Sequence, residues 1–289
     1  MKTTRKGARW GVLCALGAFV IWGLSPLYFA LLNDVPAFEV VAHRILWALP
    51  VIALYAVLTG RWAGVRQVAR EPRTLLVVAV AAAMISVNWV VFIVAIQTGQ
   101  TAQASFGYYI YPIIAVILGA LVFRERIGGV QRIAAGLAAL GVLCIAVEYG
   151  TAPWLALVVA GTFAAYGTIR KSSAVSPLVG VVWELALVAP FLLGYLVWVG
   201  GGVFGTDWTV SLTLMGASLF TGIPLVMYVE AARRLDFSTV GVLFYINPTL
   251  QFVCALLLGE ALDSVVLGAF VIIWAAVALY CYDLMRRRG

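Results

Sequence analysis

FGYYIYP, residues 106–112, sets a proline inside an apolar run with no charge for twenty residues around it, and LFYINP, residues 243–248, writes nearly the same phrase again. Pro112 and Pro248 lie 136 residues apart, and each has a tyrosine three positions earlier, Tyr109 and Tyr245. Proline lacks an amide donor and crowds the carbonyl four residues back. Water repairs that loss in a soluble helix; in lipid only protein groups or a wet cavity can.

Composition identifies the solvent as lipid. Of 289 residues, 64% are hydrophobic and 11% charged, against about 45–50% and about 25% in a soluble domain. The net charge of +7 comes from small basic clusters between apolar runs. No aromatic-basic stripe accompanies them, so nucleic acid is not an expected partner.

A helix needs about 20 apolar residues to cross a bilayer. Ten segments qualify, at 10–32, 39–59, 74–97, 103–123, 128–147, 153–169, 178–199, 210–231, 237–258 and 264–284. No alternation of period two appears, which excludes a β-barrel. The joining loops are too short for a soluble domain.

The first span has a counterpart later in the chain. WGVLCALGAFVIWG from Trp10 aligns with WLALVVAGTFAAYG from Trp154, matching Gly17 to Gly161, Phe19 to Phe163 and Gly23 to Gly167. Because the run is long and has this partner, it is read as a retained span and not a cleaved signal peptide. Pro50 falls opposite Pro190, Tyr109 opposite Tyr245 and Gly136 opposite Gly268, with an offset that drifts smoothly along the chain. The expectation is two five-helix repeats, residues 1–150 and 151–289, forming one membrane domain. Five is odd, so the second copy enters the bilayer inverted, an architecture common among secondary transporters that bind solute between their halves.

Lys and Arg favour the cytoplasmic side of a membrane. All but Arg44 fall before the first span, at alternate gaps, or after the last span. Both termini are therefore expected in the cytoplasm, in a multi-pass protein of the inner membrane.

Ionisable groups at depth are costly and need partners or water. Arg44 and Glu184 are equivalent under the repeat and fall near opposite mouths. They either hold the charged ends of a zwitterionic solute, gate the two entrances, or serve as structural residues bonded to neighbouring backbone. His43, the sole histidine, is either a proton carrier or a packing residue. Asn88, Gln97, Asn247 and Gln251 suit solute binding or bonds between helices equally. Glu230 has Arg233 and Arg234 as its simplest partners. Pro112 and Pro248 mark either fixed kinks or a cavity wall, and Tyr108, Tyr109, Tyr245 and Asn247 beside them favour the cavity.

GGGVFG, residues 200–205, satisfies a dinucleotide-binding pattern, but no strand-turn-helix unit surrounds it. It reads as a flexible outside loop. Four scattered cysteines, one histidine and no carboxylate cluster provide no metal site, cofactor site or catalytic triad, so the chain is not expected to be an enzyme.

Several phrases together resemble the RarD-like branch of the EamA transporters, in the drug/metabolite transporter superfamily. They are AHRILW at 42–47, NW at 88–89, FGYYIYP, YGTIRK at 166–171, AARRLDFSTVG at 231–241, YINPT at 245–249 and LLGE at 257–260. Tyr111 stands where the family form, like the second copy, has asparagine, which alters the polar lining of span four. The resemblance implies a ten-helix permease with a central cavity, spans five and ten lying peripherally. Trp22, Arg44, Trp89, Tyr109, Tyr166, Trp183, Glu184 and Tyr245 are the inferred lining. Their aromatic character suits apolar or aromatic amino acids, although Trp and Tyr near span ends also serve as interfacial anchors.

The function expected is export of amino acids or related metabolites by a monomer in the bilayer. The alternatives are a proton-coupled drug exporter of the chloramphenicol type, using Glu184 or His43, and a membrane interaction protein that transports nothing.

Overall fold

The computed structural model describes residues 5–97, 101–149, 154–257 and 264–288, and among them there are helices and no strands. The first half comprises α1 (Arg5–Phe29) with a 3-10 turn (Ala30–Leu32), α2 (Ala37–Leu58), α3 (Trp62–Arg70), α4 (Pro72–Gln97), α5 (Thr101–Leu121) and α6 (Gly129–Tyr149). The second comprises α7 (Trp154–Ser172), α8 (Pro177–Trp198), α9 (Trp208–Gly216) with a 3-10 turn (Ala217–Phe220), α10 (Gly222–Arg234), α11 (Phe237–Phe244), α12 (Ile246–Leu257) and α13 (Ser264–Arg288).

Among the described residues, six stretches are long and apolar enough to cross a membrane: Lys6–Leu32, Ala37–Leu58, Pro72–Val91, Pro177–Trp198, Trp208–Arg234 and Phe237–Cys254. Shorter apolar helices cover Gly107–Leu121, Gly129–Cys144 and Leu267–Asp283. The protein is thus an all-α, multi-pass membrane protein. Its outer surface agrees with that, since Phe191 and Trp198 are 78% and 83% exposed on a face that only lipid or the interface would cover.

Three features depart from a row of plain spans. α3 fills the gap between the second and third expected spans, and it is a helix with Val65 and Val68 buried and Arg66 and Arg70 exposed. That pattern is an amphipathic helix with its apolar side packed on the protein and its basic side outward. It is tied to α8, because the Trp183 indole donates to the Val65 carbonyl at 3.0 Å. The eighth predicted span is broken between α9 and α10, and the ninth at Tyr245 between α11 and α12. Proline accounts for both breaks. Pro224 and Pro248 offer no N–H to the carbonyls of Phe220 and Phe244, so the regular ladder stops there. Pro112, by contrast, is carried inside a continuous α5.

The helices pair in a regular way. α1 lies against α10 and α12, and α7 lies against α4 and α5. α2 meets α8, α5 meets α11, and α6 meets α13. Small residues permit the close crossings that stabilise helices in lipid. At Gly241 of α11 a Cβ would stand 2.4 Å from the Ala115 Cβ and 3.1 Å from the Pro112 carbonyl, so only glycine lets α5 and α11 touch.

A bulky Gly241→Leu substitution overpacks that crossing and is expected to destabilise the detergent-solubilised protein by about 1–3 kcal/mol. Gly136→Ala, where a Cβ meets nothing within 4 Å, should be neutral or stabilising by up to about 1 kcal/mol. Thermal unfolding of both variants checks this, and equal losses would refute the role given to Gly241.

Candidate functional site

The break in span eight creates an unpaired acceptor inside the bundle. With Pro224 unable to donate, the Phe220 carbonyl needs partners from elsewhere, because an unsatisfied backbone group in lipid costs several kcal/mol. Two helices supply them. Trp22 of α1 donates its indole N–H at 3.1 Å, and Arg44 of α2 donates Nη2 at 3.1 Å. Arg44 also donates Nε to the Thr221 hydroxyl at 2.7 Å and lies over the Phe29 ring, 5.2 Å from its centroid. Thr221 is 1% exposed, while Arg44 itself is partly buried. The cation predicted at depth therefore caps a broken helix, in a setting where Tyr108 lies within electrostatic reach.

Beneath this cap the seam between the halves is filled by rings. Trp22 stands edge-on to Phe163 at 6.1 Å, Tyr108 lies 5.9 Å from Phe244, and Tyr111 contacts Phe163 and Phe244 at 4.8 and 4.7 Å. Tyr111 is fully buried and shares a 2.9 Å hydrogen bond with the Tyr228 hydroxyl. These ring contacts pack the seam where the central cavity was expected. A small apolar cavity of about 10 Å³, room for roughly one water, lies to the side between Pro112, Ala138, Val242 and Tyr280.

Glu184 lies in a separate network. Its Oε2 accepts from the Tyr166 hydroxyl at 2.9 Å and its Oε1 pairs with Arg170 Nε at 2.9 Å, with Glu184 1% exposed and Arg170 fully buried. Arg170 Nη2 reaches the carbonyls of Ser176 and Pro177, each at 3.3 Å. The guanidinium fits because residue 180 is glycine, where a Cβ would stand 2.1 Å from Nη2. Arg44 and Glu184 are equivalent by sequence, yet each has its own partners and they share none.

The proline phrases meet across the seam. The Tyr109 hydroxyl donates to the Pro248 carbonyl at 3.4 Å, and the Tyr245 hydroxyl donates to the Tyr109 carbonyl at 3.2 Å. Asn247 is buried and accepts from Gln251 at 3.0 Å. Asn88 donates to the Val159 carbonyl at 2.7 Å and the Thr162 hydroxyl at 3.2 Å, joining α4 to α7. Trp89 packs against the main core from its partly buried position. Glu230 pairs with Arg234 one turn on. Gln97 lies at the end of α4, and its side chain lies outside the described residues.

His43 is 6% exposed, with its ring stacked on Phe204 at 4.6 Å and 17°. That contact corrects the reading of GGGVFG as a loose loop. Glu39, 2% exposed on the turn before His43, accepts from the Val203 amide at 2.6 Å and holds the loop against α2.

Sequence reasoning missed Arg170, Glu39 and the Phe220–Thr221 turn. Arg170 looked like an ordinary loop cation, and nothing local distinguishes it. The Phe220 break did have a signal, the Gly222–Pro224 pair inside an apolar segment.

The EamA-like transporter family matches residues 9–147. An uncharacterized transporter of Pseudomonas aeruginosa is 40% identical over 286 residues, covering 96% of this chain and 95% of its own. Protein RarD of Streptomyces exfoliatus is 37% identical over 283 residues, covering 96% and 90%. Chloramphenicol-sensitive protein RarD of Pseudomonas aeruginosa is 32% identical over 283 residues, covering 96% and 95%. A solved crystal structure superposes on 99% of this chain and 100% of its own with a TM-score of 0.75 at 18% identity, a likeness of fold alone.

Arg170→Ala strands the buried Glu184 carboxylate and is expected to cost about 3–5 kcal/mol. Adding Glu184→Gln to an Arg170→Met background removes both charges and should recover most of that loss. Unfolding in detergent measures both, and an unaffected Arg170→Ala variant would remove the pair from the core.

Proposed function

The chain belongs to the RarD-like branch of the EamA-like transporters, in the drug/metabolite transporter superfamily, and from that premise we propose that it is an inner-membrane permease exporting amino acids or related metabolites by alternating access. Its two five-helix halves, 1–150 and 151–289, would be inverted copies crossing the bilayer ten times in all. A two-fold axis in the membrane plane requires every contact to have an image. The helix pairings support that symmetry: α1 against α10 and α12 is answered by α7 against α4 and α5, while α2–α8, α5–α11 and α6–α13 are their own images.

The observation that carries the proposal is the Phe220 carbonyl held by Arg44 and Trp22. A guanidinium bonded to a neutral carbonyl binds a carboxylate more strongly, because the charge-assisted, bidentate pair is about twice as strong. A solute carboxylate would therefore take Arg44 from Phe220 and Thr221. That exchange uncaps the break between α9 and α10 and frees α10 to move, which couples binding to a change of shape. The substrate's ammonium would lie against the faces of Trp22 and Tyr108, where cation-π attraction operates. Tyr109, Tyr245 and Asn247 line the same seam in this proposal. Glu184, held by Arg170 and Tyr166, fixes the other mouth.

Reconstituted protein should accelerate counterflow of labelled amino acids into liposomes. Arg44→Ala is expected to lower that flux at least about tenfold, a change of about 1.4 kcal/mol in the rate-determining interaction, while the protein stays monodisperse; Glu184→Gln should also impair it. Flux of chloramphenicol but not amino acids would favour the drug exporter, and no flux in a broad panel would favour an interaction protein. For the topology, a single cysteine at Thr151 should react with an impermeant reagent from outside the cell. Reaction only after lysis would overturn the inverted arrangement.

A further inference from the structure

Between the end of α2 and the first turn of α4 the chain displays four arginines and a single acid. Residues 61–73, RWAGVRQVAREPR, hold Arg61, Arg66, Arg70 and Arg73 against Glu71, a net charge of +3 (four minus one). All four arginines are exposed, and among the described residues none of them forms an ion pair. Glu71 is engaged by its own helix neighbours, its oxygens accepting from Gln67 Nε2 at 2.7 Å and from the Thr74 hydroxyl at 2.9 Å.

The helix that carries this charge is fixed in place. The Arg61 amide donates to the Ala56 carbonyl at 2.7 Å and the Gly60 amide to the Val57 carbonyl at 3.0 Å, with Gly60 at φ 69°. That closure ends α2 in a left-handed turn and sends the chain directly into α3. On the inner side the Val65 carbonyl accepts from Trp183 of α8 at 3.0 Å, and a Cβ on Gly64 would stand 3.1 Å from Val179 Cγ2. At the other end the Glu71 amide closes α3 on the Val68 carbonyl at 3.2 Å, and α4 starts at once from Pro72. Residues three and four apart share a helix face, so Arg66, Ala69 and Arg70 stand together on the outward side, where all three are exposed.

The neighbouring helices set the level of the patch. α2 ends on exposed Leu54, Tyr55 and Leu58, and α4 begins with exposed Leu76 and Val77, an apolar surface that hydrocarbon covers in a membrane protein. Arg73 precedes Leu76 by three residues of α4, about 4–5 Å of helix rise, and Arg61 follows Leu58 across the Gly60 turn. The guanidiniums therefore lie where hydrocarbon gives way to headgroups, within reach of long basic side chains.

We propose that the outward side of α3, with Arg61 and Arg73 at its ends, is a docking surface for anionic phospholipids. A guanidinium is planar, permanently charged and pairs with phosphate through two parallel hydrogen bonds. Four or more basic residues clustered beside a membrane span attract anionic headgroups with a strength that falls in salt. The apolar side of α3 is covered by α8 and the core and not by acyl chains, so the surface selects lipids by headgroup charge. It stands on the membrane fold alone and is independent of any solute carried.

A fluorophore on Ala69→Cys, in a variant whose four native cysteines are replaced by alanine, places a probe between Arg66 and Arg70. In phosphatidylcholine nanodiscs its quenching by nitroxide-labelled phosphatidylglycerol is compared with quenching by the matching labelled phosphatidylcholine at equal mole fraction. Phosphatidylglycerol should quench at least about twofold more strongly in about 0.05 M salt, and the two should converge in about 1 M salt, where charges are screened within about 3 Å. The same fluorophore on Val197→Cys, at an exposed site at the far end of α8 from α3, should be quenched equally by both. Replacing Arg61, Arg66, Arg70 and Arg73 together by Gln should abolish the preference at position 69. With the native cysteines kept, unfolding in detergent gives a second reading. Phosphatidylglycerol should raise the Tm by binding the folded state, phosphatidylcholine and inorganic phosphate should not, and the fourfold Gln variant should lose most of the rise. Equal quenching at position 69 in low salt, or a preference that survives the four substitutions, would overturn the proposal and leave the arginines to an acidic protein partner. An equal rise in Tm with inorganic phosphate would overturn it in favour of a free anion.

Discussion

Lipid offers a backbone no hydrogen bonds, and that constraint organises the interior of this protein. Where Pro224 interrupts a span it leaves a carbonyl without its usual donor, and the chain answers with side chains brought from other helices. Phe220 receives Trp22 from α1 and Arg44 from α2. Near the second break the Tyr109 hydroxyl donates to the Pro248 carbonyl and the Tyr245 hydroxyl to the Tyr109 carbonyl, which ties α5 to the other half. Both breaks thus lie beside bonds that join the two halves. Small residues then set how closely the helices approach, as Gly241 does on Pro112 and Gly180 over Arg170.

The two charged positions related by sequence have different surroundings. Around Arg44 the partners are a main-chain carbonyl, a hydroxyl and a ring face, all neutral and all replaceable by a better acceptor. Around Glu184 the partners are a guanidinium and a phenol in a fully buried pocket. The second arrangement resists exchange, since separating a buried ion pair exposes both charges to a poor solvent.

Much of the fold was legible because membrane solvation acts residue by residue. Apolar runs such as 39–59 and 178–199 announce helices through composition alone, and α2 and α8 lie there. Of the two proline phrases only the one at Pro248 lies at a break, while Tyr109 and Tyr245 do meet across the seam. Partners were far less legible. Whether Arg170 faces water or turns back into the bundle depends on Gly180 ten residues away, and no local pattern records that choice. The break at Phe220 was written as Gly222 and Pro224, but the apolar residues around them masked it. The helical nature of α3 was hidden because its arginines dominate the reading of residues 61–73, while Val65 and Val68 carry the contact with α8.

The glycine-rich stretch that imitates a nucleotide fingerprint acquires a physical explanation. Glycines with positive φ let a main chain close around an anion and present an amide to it, and this is the trick by which phosphate loops work. Here the anion is covalently supplied, as the carboxylate that Val203 contacts. The resemblance to a phosphate cradle is thus one of shared geometry with a different guest. A free phosphate would find that amide already occupied, and a pattern search that scores the glycines alone mistakes a self-filled nest for an empty one.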